Sequence, residues 1–398
     1  MSQPTPTYSL FWVIFALAMG GFCIGTTEFL AMGLIQEIAH DLAISIPQAG
    51  YLISAYALGV MIGAPIIAIL ATKLPRKTVL MSLMLCYGIA NISTAFVQTI
   101  DSIIISRFVA GLPHGAYFGI GALVVAELAG HAKRSSAIAQ MMMGLTIATV
   151  LGVPLATWLG QHWGWRIGFE FSASLAFLTI FAIGLCVPKI SAQPHTSMRS
   201  ELAGLKNINM WLTLAVGAIG FGGMFSVYSY VSPILTQYTQ TSVQMIPIAL
   251  AIWGIGMVLG GLCAGHFADK NLNKTIFIVL ISAACTFILC NFMLANLYTA
   301  LMSLFLIGFT VMGLGGTLQT RLMDVAGDAQ TLAASLNHSA FNLANALGAF
   351  LGGWVLHNKM GWLAPIWVGF LFSVGGLILF IIALTVEKKS HQRSFSIS

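Results

Sequence analysis

Three residues with charged or titratable side chains lie in stretches of the sequence that are otherwise apolar. Glu28, in GTTEFLAMG, is the only charged residue between Phe11 and Ile35. Arg107 and His114 lie seven residues apart in SRFVAGLPHGAYFG, so they share a face if the segment is helical. A carboxyl group can load and release a proton, a guanidinium can pair with it, and an imidazole titrates near neutral pH. The three side chains therefore predict a column of proton-binding groups. The alternatives are a structural buried ion pair for Glu28, a structural or substrate-orienting role for Arg107, and helix packing for His114.

The composition of the chain explains why such side chains need a protein interior. Of the 398 residues, 58% are hydrophobic and 7% are charged, whereas soluble domains carry about 25% charged residues. So much apolar surface requires lipid as the solvent, and a charge at the centre of a helix in lipid costs about 2.5–3.5 kcal/mol on insertion scales. We therefore expect Glu28 to face the interior of a helix bundle, with Arg107 as its candidate partner, or to take up a proton.

Twelve stretches are long enough to cross a bilayer as helices of about 20 apolar residues. They lie near 10–36, 48–72, 78–98, 102–128, 135–161, 167–187, 208–235, 245–268, 275–296, 298–323, 332–357 and 362–386. Most of the seventeen Lys and Arg residues, Arg321 among them, fall in alternate connections or in the tail, and Lys359 is the clear exception. This positive-inside pattern predicts that both termini lie in the cytoplasm and that the membrane is the cytoplasmic one.

The two halves of the chain repeat each other at an offset of 197 residues. GVMIGAPIIAILATKLPRKT, from Gly59, aligns with GMVLGGLCAGHFADKNLNKT, from Gly256. Two six-span halves in the same orientation imply parallel repeats about an axis along the membrane normal. The predicted units are a first bundle over 1–187, a cytoplasmic linker over 188–207 and a second bundle over 208–398. Such twin bundles suit alternating access, in which one half rocks against the other.

At this point the sequence resembles the major facilitator superfamily, whose loop motif runs Gly-x-x-x-Asp-Arg-x-Gly-Arg-Arg/Lys. The turn after the eighth span keeps four residues of that motif, Gly265, Asp269, Lys270 and Lys274. The turn after the second span is degraded and keeps Lys73, Arg76 and Lys77. The resemblance implies an all-α membrane protein of the major facilitator fold, with 12 transmembrane helices in two six-helix bundles related by a pseudo-twofold along the membrane normal. It also implies that the two basic turns act in gating.

A second set of motifs narrows the resemblance. GVPLAT, with Gly152 and Pro154, resembles the span-five motif of antiporters, and Gly144 lies on the same four-spaced face. Together with the stretches GTTEF, GWRIGF and AFNLANALGAFLGG, the span-five motif makes the chain similar to the arabinose-efflux-permease and sugar-efflux branch of the twelve-span drug:proton antiporters. The small-residue face fits either plain helix packing or helix pairs that slide. The resemblance implies proton-coupled export of small organic solutes or drugs, and a proton-coupled importer of the same fold is the alternative.

Polar and aromatic residues in the second half suggest a substrate cavity. FGGMFSVYSYVSPIL contains Met224, Phe225, Tyr228 and Tyr230, and the eleventh span contains Asn342 and Asn345. Aromatic rings with a few amides suit a pocket that has an apolar body and few polar anchors. Because Phe225 lies 197 residues after Glu28, proton coupling is expected to reside in the first half.

Other classes of protein are excluded by what the sequence lacks. It has no His-Glu-x-x-His, no Gly-x-Ser-x-Gly and no Gly-x-x-x-x-Gly-Lys-Ser/Thr, so neither an enzyme nor an ATP-driven pump is expected. The six cysteines lie inside predicted spans, where they act as apolar fillers and not as metal ligands. The expected partners are a small-molecule substrate, protons and the lipid bilayer, with no cofactor, no nucleic acid and no obligate protein partner.

Overall fold

The protein is described by a computed structural model over residues 9–71, 74–130, 133–189, 206–326 and 330–395. Within these ranges every regular element is a helix, and twelve helices are long and apolar enough to cross a membrane. The prediction of twelve spans and an all-α membrane fold is therefore confirmed. Below, "outer" and "inner" name the two faces in the orientation that the basic connections predict.

Ten of the membrane helices are continuous. They are α1 (Leu10–Gly33), α2 (Ile46–Leu70), α3 (Arg76–Phe96), α4 (Ile100–Ala129), α6 (Trp165–Cys186), α8 (Ile246–Ala268), α9 (Leu272–Met293), α10 (Leu297–Ala326), α11 (Gln330–His357) and α12 (Ala364–Phe395). A short helix, Ile35–Asp41, joins α1 to α2 on the outer side.

Helices α5 and α7 are interrupted. Helix α5 runs Arg134–Ile147, passes through a π turn at Ala148–Gly152 and resumes as Val153–Trp163. The turn lies just before Pro154, whose missing N–H removes one helical hydrogen bond and favours such a local widening. Helix α7 comprises Ile208–Gly220 and Gly222–Tyr228, followed by Val231–Pro233 and a second π turn at Ile234–Tyr238. The sequence predicts the seventh span as one unbroken stretch, and the structure divides it.

The repeat is visible as the same backbone contact in each half. A Cβ at Gly59 would collide with the carbonyl oxygen of Phe108, and a Cβ at Gly256 would collide with that of Phe305. Both members of the second pair lie 197 residues after those of the first. Glycine is required at both positions because α2 approaches α4, and α8 approaches α10, closely enough for backbone to meet backbone.

The halves meet along two helix pairs, α2 with α11 and α5 with α8. The Ser54 hydroxyl donates to the carbonyl oxygen of Ala346 at 3.3 Å, and Ser339 donates to that of Met61 at 3.1 Å. On the other side of the seam, a Cβ at Gly254 would collide with the carbonyl of Thr149 in the π turn of α5. These contacts place α1 and α7 in the interior, where their side chains face both halves.

The structure corrects one assignment of charge. The sequence pattern places Arg321 with the basic connections, but it lies inside α10, is 3% exposed and donates to Asn273 at 2.6 Å and to Glu387 at 2.8 Å. Helix α10 continues to Ala326, and its Arg321 guanidinium is held by side chains of α9 and α12. Arg321 therefore ties three helices of the second half together at their inner ends.

The basic turns are only partly described, because Lys73 lies outside the described residues. In the first turn, Arg76 forms an ion pair with Glu127 at 2.5 Å, and Lys77 donates to the carbonyl oxygen of Gly184 at 2.7 Å. Both partners belong to the same half. In the second turn, Asn271 caps α9 by accepting from the Lys274 N–H at 2.9 Å, and the Lys270 ammonium lies 5.7 Å from the Phe267 ring centroid.

Candidate functional site

Glu28 lies in α1 at the place where the two halves meet. Its side chain is buried, with 7% of its surface exposed, so it does not point at lipid. Its carboxyl interacts electrostatically with Arg107 and Tyr56 of the first half, and with Tyr228 of the second half. Asn345, on α11, brings its amide next to the same carboxyl. One acidic group is therefore in contact with both bundles.

Arg107, on α4, is completely buried beside Glu28. Its Nη2 donates to the carbonyl oxygen of Thr27 at 3.2 Å, and its Nη1 lies 3.5 Å from Oδ1 of Asn91. The guanidinium carbon lies 4.4 Å from the ring centroid of Tyr56, within cation–π range. Among the described residues no direct ion pair joins Arg107 to Glu28. The guanidinium therefore acts on the carboxyl through its field, and both groups keep the freedom to bind something else.

A hydrogen-bonded chain continues from this point to His114. The Tyr56 hydroxyl is 3.0 Å from Nδ1 of His114 and 3.1 Å from the hydroxyl of Tyr87, which donates to the carbonyl oxygen of Ile24 at 3.2 Å. Because each hydroxyl donates only one proton, the chain runs from the His114 N–H through Tyr56 and Tyr87 to Ile24. The three residues predicted as a column are thus brought together, with Tyr56 between the arginine and the histidine.

Sequence reasoning missed Tyr56, Tyr87 and Asn91. All three are buried in the first half and carry hydrogen-bonding groups at membrane depth. Such groups inside an apolar span seek partners or cavities, and that was the available signal. Their roles depend on contacts between α2, α3 and α4, which local sequence patterns do not reveal.

An aromatic cluster joins Phe29, the residue after Glu28, to the second half. Phe29 stacks on Phe225 with centroids 6.3 Å apart and meets Tyr228 edge-on at 5.4 Å. Tyr228 also meets Trp253, on α8, at 4.7 Å. Met224 is buried on α7 next to Phe225. Trp253 does not stand out in the sequence, and its indole N–H is buried without a hydrogen-bond partner.

The amides of α11 are buried and incompletely paired. Nδ2 of Asn342 donates to the carbonyl oxygen of His338 at 3.0 Å, but its Oδ1 has no partner, and neither Oδ1 nor Nδ2 of Asn345 has one. A buried polar group without a partner costs about 1–3 kcal/mol. Nδ2 of Asn345 can donate to the neighbouring Glu28 carboxyl, whereas the two amide oxygens can only accept from a donor.

Tyr230 lies apart from this cluster. Its hydroxyl donates to the carbonyl oxygen of Ala349 at 2.7 Å, and its ring packs where side chains at Gly50 and Gly353 would not fit. Its contacts therefore hold α7 against α2 and α11. On the inner side, His338 stacks on Phe118 at 5.8 Å, and Phe118 lies 5.4 Å from His114. An aromatic path thus crosses the seam from His114 to α11.

The antiporter-type residues of α5 line its contact with α1. Cβ atoms at Gly144 and Gly152 would collide with the carbonyl oxygen of Ala18 and the hydroxyl of Thr26, respectively. Pro154 follows the π turn that meets α8. The motif therefore sets the distance between α5 and the helix that carries Glu28, although it makes no contact of its own with the carboxyl.

Comparison with known proteins agrees with this architecture. The family model of the Major Facilitator Superfamily matches residues 17–337 and 214–396. The inner membrane transport protein YdhP of Escherichia coli (strain K12) is 36% identical over 376 residues, covering 94% of this chain and 96% of that protein. The putative transporter AraJ of the same strain is 33% identical over 348 residues, covering 86% and 88%. A chloramphenicol resistance protein of Streptomyces lividans is 30% identical over 377 residues, covering 92% and 95%.

The fold has counterparts among solved structures. The crystal structure of a D-xylose–proton symporter has a TM-score of 0.75 at 16% identity and covers 94% of this chain and 97% of that chain. At that identity the likeness shows the fold alone. These matches confirm the resemblance of the chain to the superfamily, and its relatives include AraJ. With twelve apolar helices in the part of the chain that the structure describes, and with two repeated halves, the chain belongs to the Major Facilitator Superfamily of membrane transporters and is a multi-pass protein of the inner membrane.

Proposed function

We propose that the protein is a proton-coupled exporter that moves small organic solutes out of the cytoplasm in exchange for protons. Alternating access in this fold rocks one six-helix bundle against the other around a site near the midplane. The proton is the coupling ion, and the cycle needs no cofactor, no obligate protein partner and no catalytic chemistry. A membrane-embedded enzyme or receptor is the remote alternative.

One observation carries this proposal: Glu28 is buried at the seam, where it interacts with Arg107 of the first half and with Asn345 and Tyr228 of the second. When the halves separate on either side, the surroundings of that carboxyl must change. A carboxyl exposed alternately to two compartments loads a proton on one side and releases it on the other. Arg107, held by Thr27 and Asn91, supplies a fixed positive field that favours the ionised form.

The cluster of Phe225, Tyr228, Trp253 and Asn345 offers a solute an apolar body and a few hydrogen-bonding groups. Such a site suits a small organic molecule that carries ring or aliphatic surface and a few polar groups. The name of the chloramphenicol resistance protein favours export and includes drug-like solutes in the class.

A proton-coupled importer would use the same fold and the same carboxyl. The two are separated by following a labelled solute in cells before and after the proton gradient is collapsed. Collapse raises the internal level of a solute that is exported and lowers the level of one that is imported.

The experiment that tests the proposal is transport by Glu28→Gln in proteoliposomes with an imposed proton gradient. Glutamine keeps the shape of the side chain but cannot exchange a proton, so we expect proton-driven transport to be abolished while the protein remains folded. The matched control is Glu170→Gln, which neutralises an acidic residue near the outer start of α6. Transport by Glu28→Gln that keeps the wild-type rate and pH dependence would contradict the proposal.

A further inference from the structure

A groove runs between α11 and α12 on the outside of the second half. Its volume is about 760 Å³, within the range of sites that hold small organic molecules. One wall is formed by Leu351 and Trp354 of α11, and the other by Trp367 and Leu371 of α12. All four side chains are exposed, and they lie within membrane-spanning helices. The groove therefore opens towards the hydrocarbon of the bilayer.

The groove reaches from the outer surface about halfway across the membrane. Helix α12 begins at Ala364 and lines the groove as far as Phe372, a distance of about 12 Å at about 1.5 Å per residue. The hydrocarbon core of a bilayer is about 30 Å thick, so one leaflet contributes about 15 Å. Phe372 is itself buried, so the groove is closed on the side of the bundle interior. Its length therefore matches the acyl chain of a lipid in one leaflet.

A lysine lies at the outer mouth of the groove. Met360 lines the mouth, and Lys359 precedes it in the connection from α11 to α12. The Lys359 N–H donates to the carbonyl oxygen of Leu356 at 3.0 Å, and this bond fixes the turn. Lys359 is also the basic residue that departs from the positive-inside pattern of the chain. Its ammonium therefore lies at the depth of the lipid headgroups, on the side where basic residues are rare.

Among the described residues, no acidic group pairs with Lys359. The outer connections of the second half, 239–245, 294–296 and 358–363, contain no Asp or Glu. An anion that pairs with Lys359 at this face therefore comes from outside the second half.

One amide near the mouth lacks a hydrogen-bond donor. Asn291 lines the groove two residues before α9 ends at Met293. Its Oδ1 is buried and accepts no hydrogen bond from the described residues. Because an amide oxygen can only accept, a molecule that fills the groove here must supply a hydroxyl or an N–H. The outer part of the groove thus favours a ligand that carries both a negative charge and a hydrogen-bond donor.

A second copy of the chain fits this surface less well than a lipid does. Two copies that docked face to face would bring both Lys359 side chains to one interface. The outer connections of neither second half would supply an acidic residue to pair with them. A single lipid molecule, by contrast, can cover the apolar walls and neutralise the charge.

We propose that the groove is a specific site for an anionic phospholipid of the outer leaflet. An acyl chain lies between α11 and α12, and the phosphate lies beside Lys359. Phosphatidylglycerol fits this site because its phosphate is negatively charged and its glycerol headgroup carries hydroxyl donors for Asn291. Trp354 and Trp367 flank the chain with rings that favour the region between hydrocarbon and headgroups. The assignment concerns the binding of lipid and does not depend on the direction or the coupling of transport.

The test follows the quenching of the two groove tryptophans by lipid. The full chain in detergent micelles is titrated with phosphatidylglycerol or with phosphatidylcholine, both brominated on the acyl chains, because bromine quenches a nearby indole. The contribution of Trp354 and Trp367 is the difference between each protein and its counterpart with Trp354→Phe and Trp367→Phe. We expect the midpoint for phosphatidylglycerol to lie about fivefold below that for phosphatidylcholine, the factor expected for one lysine next to an anionic lipid.

Two pairs of variants assign the quenching to the groove. Lys359→Gln should raise the midpoint for phosphatidylglycerol by about fivefold and remove the preference over phosphatidylcholine. Arg166→Gln, at an outer basic residue that is already paired with Asp41, should leave both midpoints unchanged. Val368→Phe, inside the groove, should raise both midpoints. Ile378→Phe, at an exposed position of the same helix outside the groove, should change neither.

The proposal is overturned if Lys359→Gln behaves as Arg166→Gln does, or if Val368→Phe behaves as Ile378→Phe does. It is also overturned if the two lipids quench at equal concentrations, because the groove would then hold lipid without selecting it. Light scattering from the same micelles tests for a second copy of the chain. Self-association that Val368→Phe abolishes would assign the groove to that copy and would likewise overturn the proposal.

Discussion

The two halves share a backbone plan but carry different chemistry. A Cβ at Gly111 would collide with the carbonyl oxygen of Tyr56, and 197 residues later Gly308 stands in the same relation to Trp253. The interior residues of the first half nevertheless have apolar counterparts at that offset: Glu28 and Phe225, Arg107 and Leu304, His114 and Val311, and Tyr87 and Ala284.

Under the proposed function, this difference separates two tasks, proton binding in the first half and solute binding in the second. The first half holds a buried guanidinium, a carboxyl and a chain of hydroxyls, which suit proton binding. The second half presents rings and unpaired amides, which suit an organic solute. Close helix packing is needed in both halves because both must move as rigid bodies. Charge is needed in only one, and each buried charge costs several kcal/mol.

The largest effect on transport and stability is expected when Arg107 of the first half is replaced by the residue at the equivalent position of the second half. Arg107→Leu copies Leu304, but it removes the donor that Thr27 accepts from and the positive field beside Glu28. Removing one partner from a buried network of charged groups destabilises a protein by about 3–5 kcal/mol. We expect loss of proton-driven transport and a lower melting temperature, measured in proteoliposomes and by thermal unfolding in detergent.

Arg166→Leu is the control for that prediction. Arg166 pairs with Asp41 at the exposed outer face, where ion pairs contribute about 0–1 kcal/mol. If the two arginine variants lost equal amounts of transport and thermal stability, the buried network around Arg107 would contribute no more than the exposed ion pair, contrary to the prediction.

An intermediate effect is expected from the packing that the halves share. Gly59→Ala and Gly256→Ala each force a methyl group against a backbone carbonyl of the neighbouring helix. Overpacking of this kind costs about 1–3 kcal/mol, and the two variants should lose similar stability because the contact is repeated. Thermal unfolding of each variant measures the loss.

The chain offers a matched pair of controls for the glycines. Gly119 and Gly316 are also 197 residues apart, and a Cβ added at either would have no heavy atom of a neighbouring residue within 4 Å. Gly119→Ala and Gly316→Ala should be neutral or stabilise by up to about 1 kcal/mol, since alanine favours helix. Destabilisation equal to that of Gly59→Ala would contradict the packing argument.

The smallest effects are expected from two variants that separate proton binding from solute binding. Tyr56→Phe keeps the ring beneath Arg107 but removes the hydroxyl between His114 and Tyr87, at a cost of about 1 kcal/mol. Trp253→Phe keeps a ring against Tyr228 but removes the unpaired indole N–H.

We expect Tyr56→Phe to shift the pH profile of transport with little change in substrate KM. Trp253→Phe should raise substrate KM and leave the pH profile in place. Measuring KM at several pH values distinguishes the two variants. Identical changes in KM and in the pH profile would contradict the proposed division of tasks between the halves.

Much of the architecture could be predicted from the sequence because it depends on local composition. The number of spans follows from hydropathy, and the loop motif with its repeat indicated the family. Arg321 was assigned to a connection because hydropathy does not show which neighbouring side chains enclose the end of a span, whereas in α10 its guanidinium is held by Asn273 and Glu387. The break in α7 was missed, although Gly222, Gly223 and Pro233 in FGGMFSVYSYVSPIL were available signals of an interrupted helix.

The residues of the candidate site likewise comprise some that the sequence indicated and others that it did not. Glu28, Arg107 and His114 stood out because each is costly in hydrocarbon, and the structure places them within one cluster. Tyr56 and Trp253 did not stand out, because an aromatic residue in a span usually packs in the core.

The sequence by itself determined that lipid is the solvent, that two similar halves repeat, and that a few charges are retained in the interior at an energetic cost. These properties depend on how each segment partitions between water and hydrocarbon, which is a local quantity. Only the tertiary structure decided which groups face one another across the seam: Glu28 with Asn345, Phe29 with Phe225, and Ser54 with the carbonyl oxygen of Ala346. Those pairings arise from distances between helices far apart in the chain, and charge and hydrogen bonding act over a few ångströms.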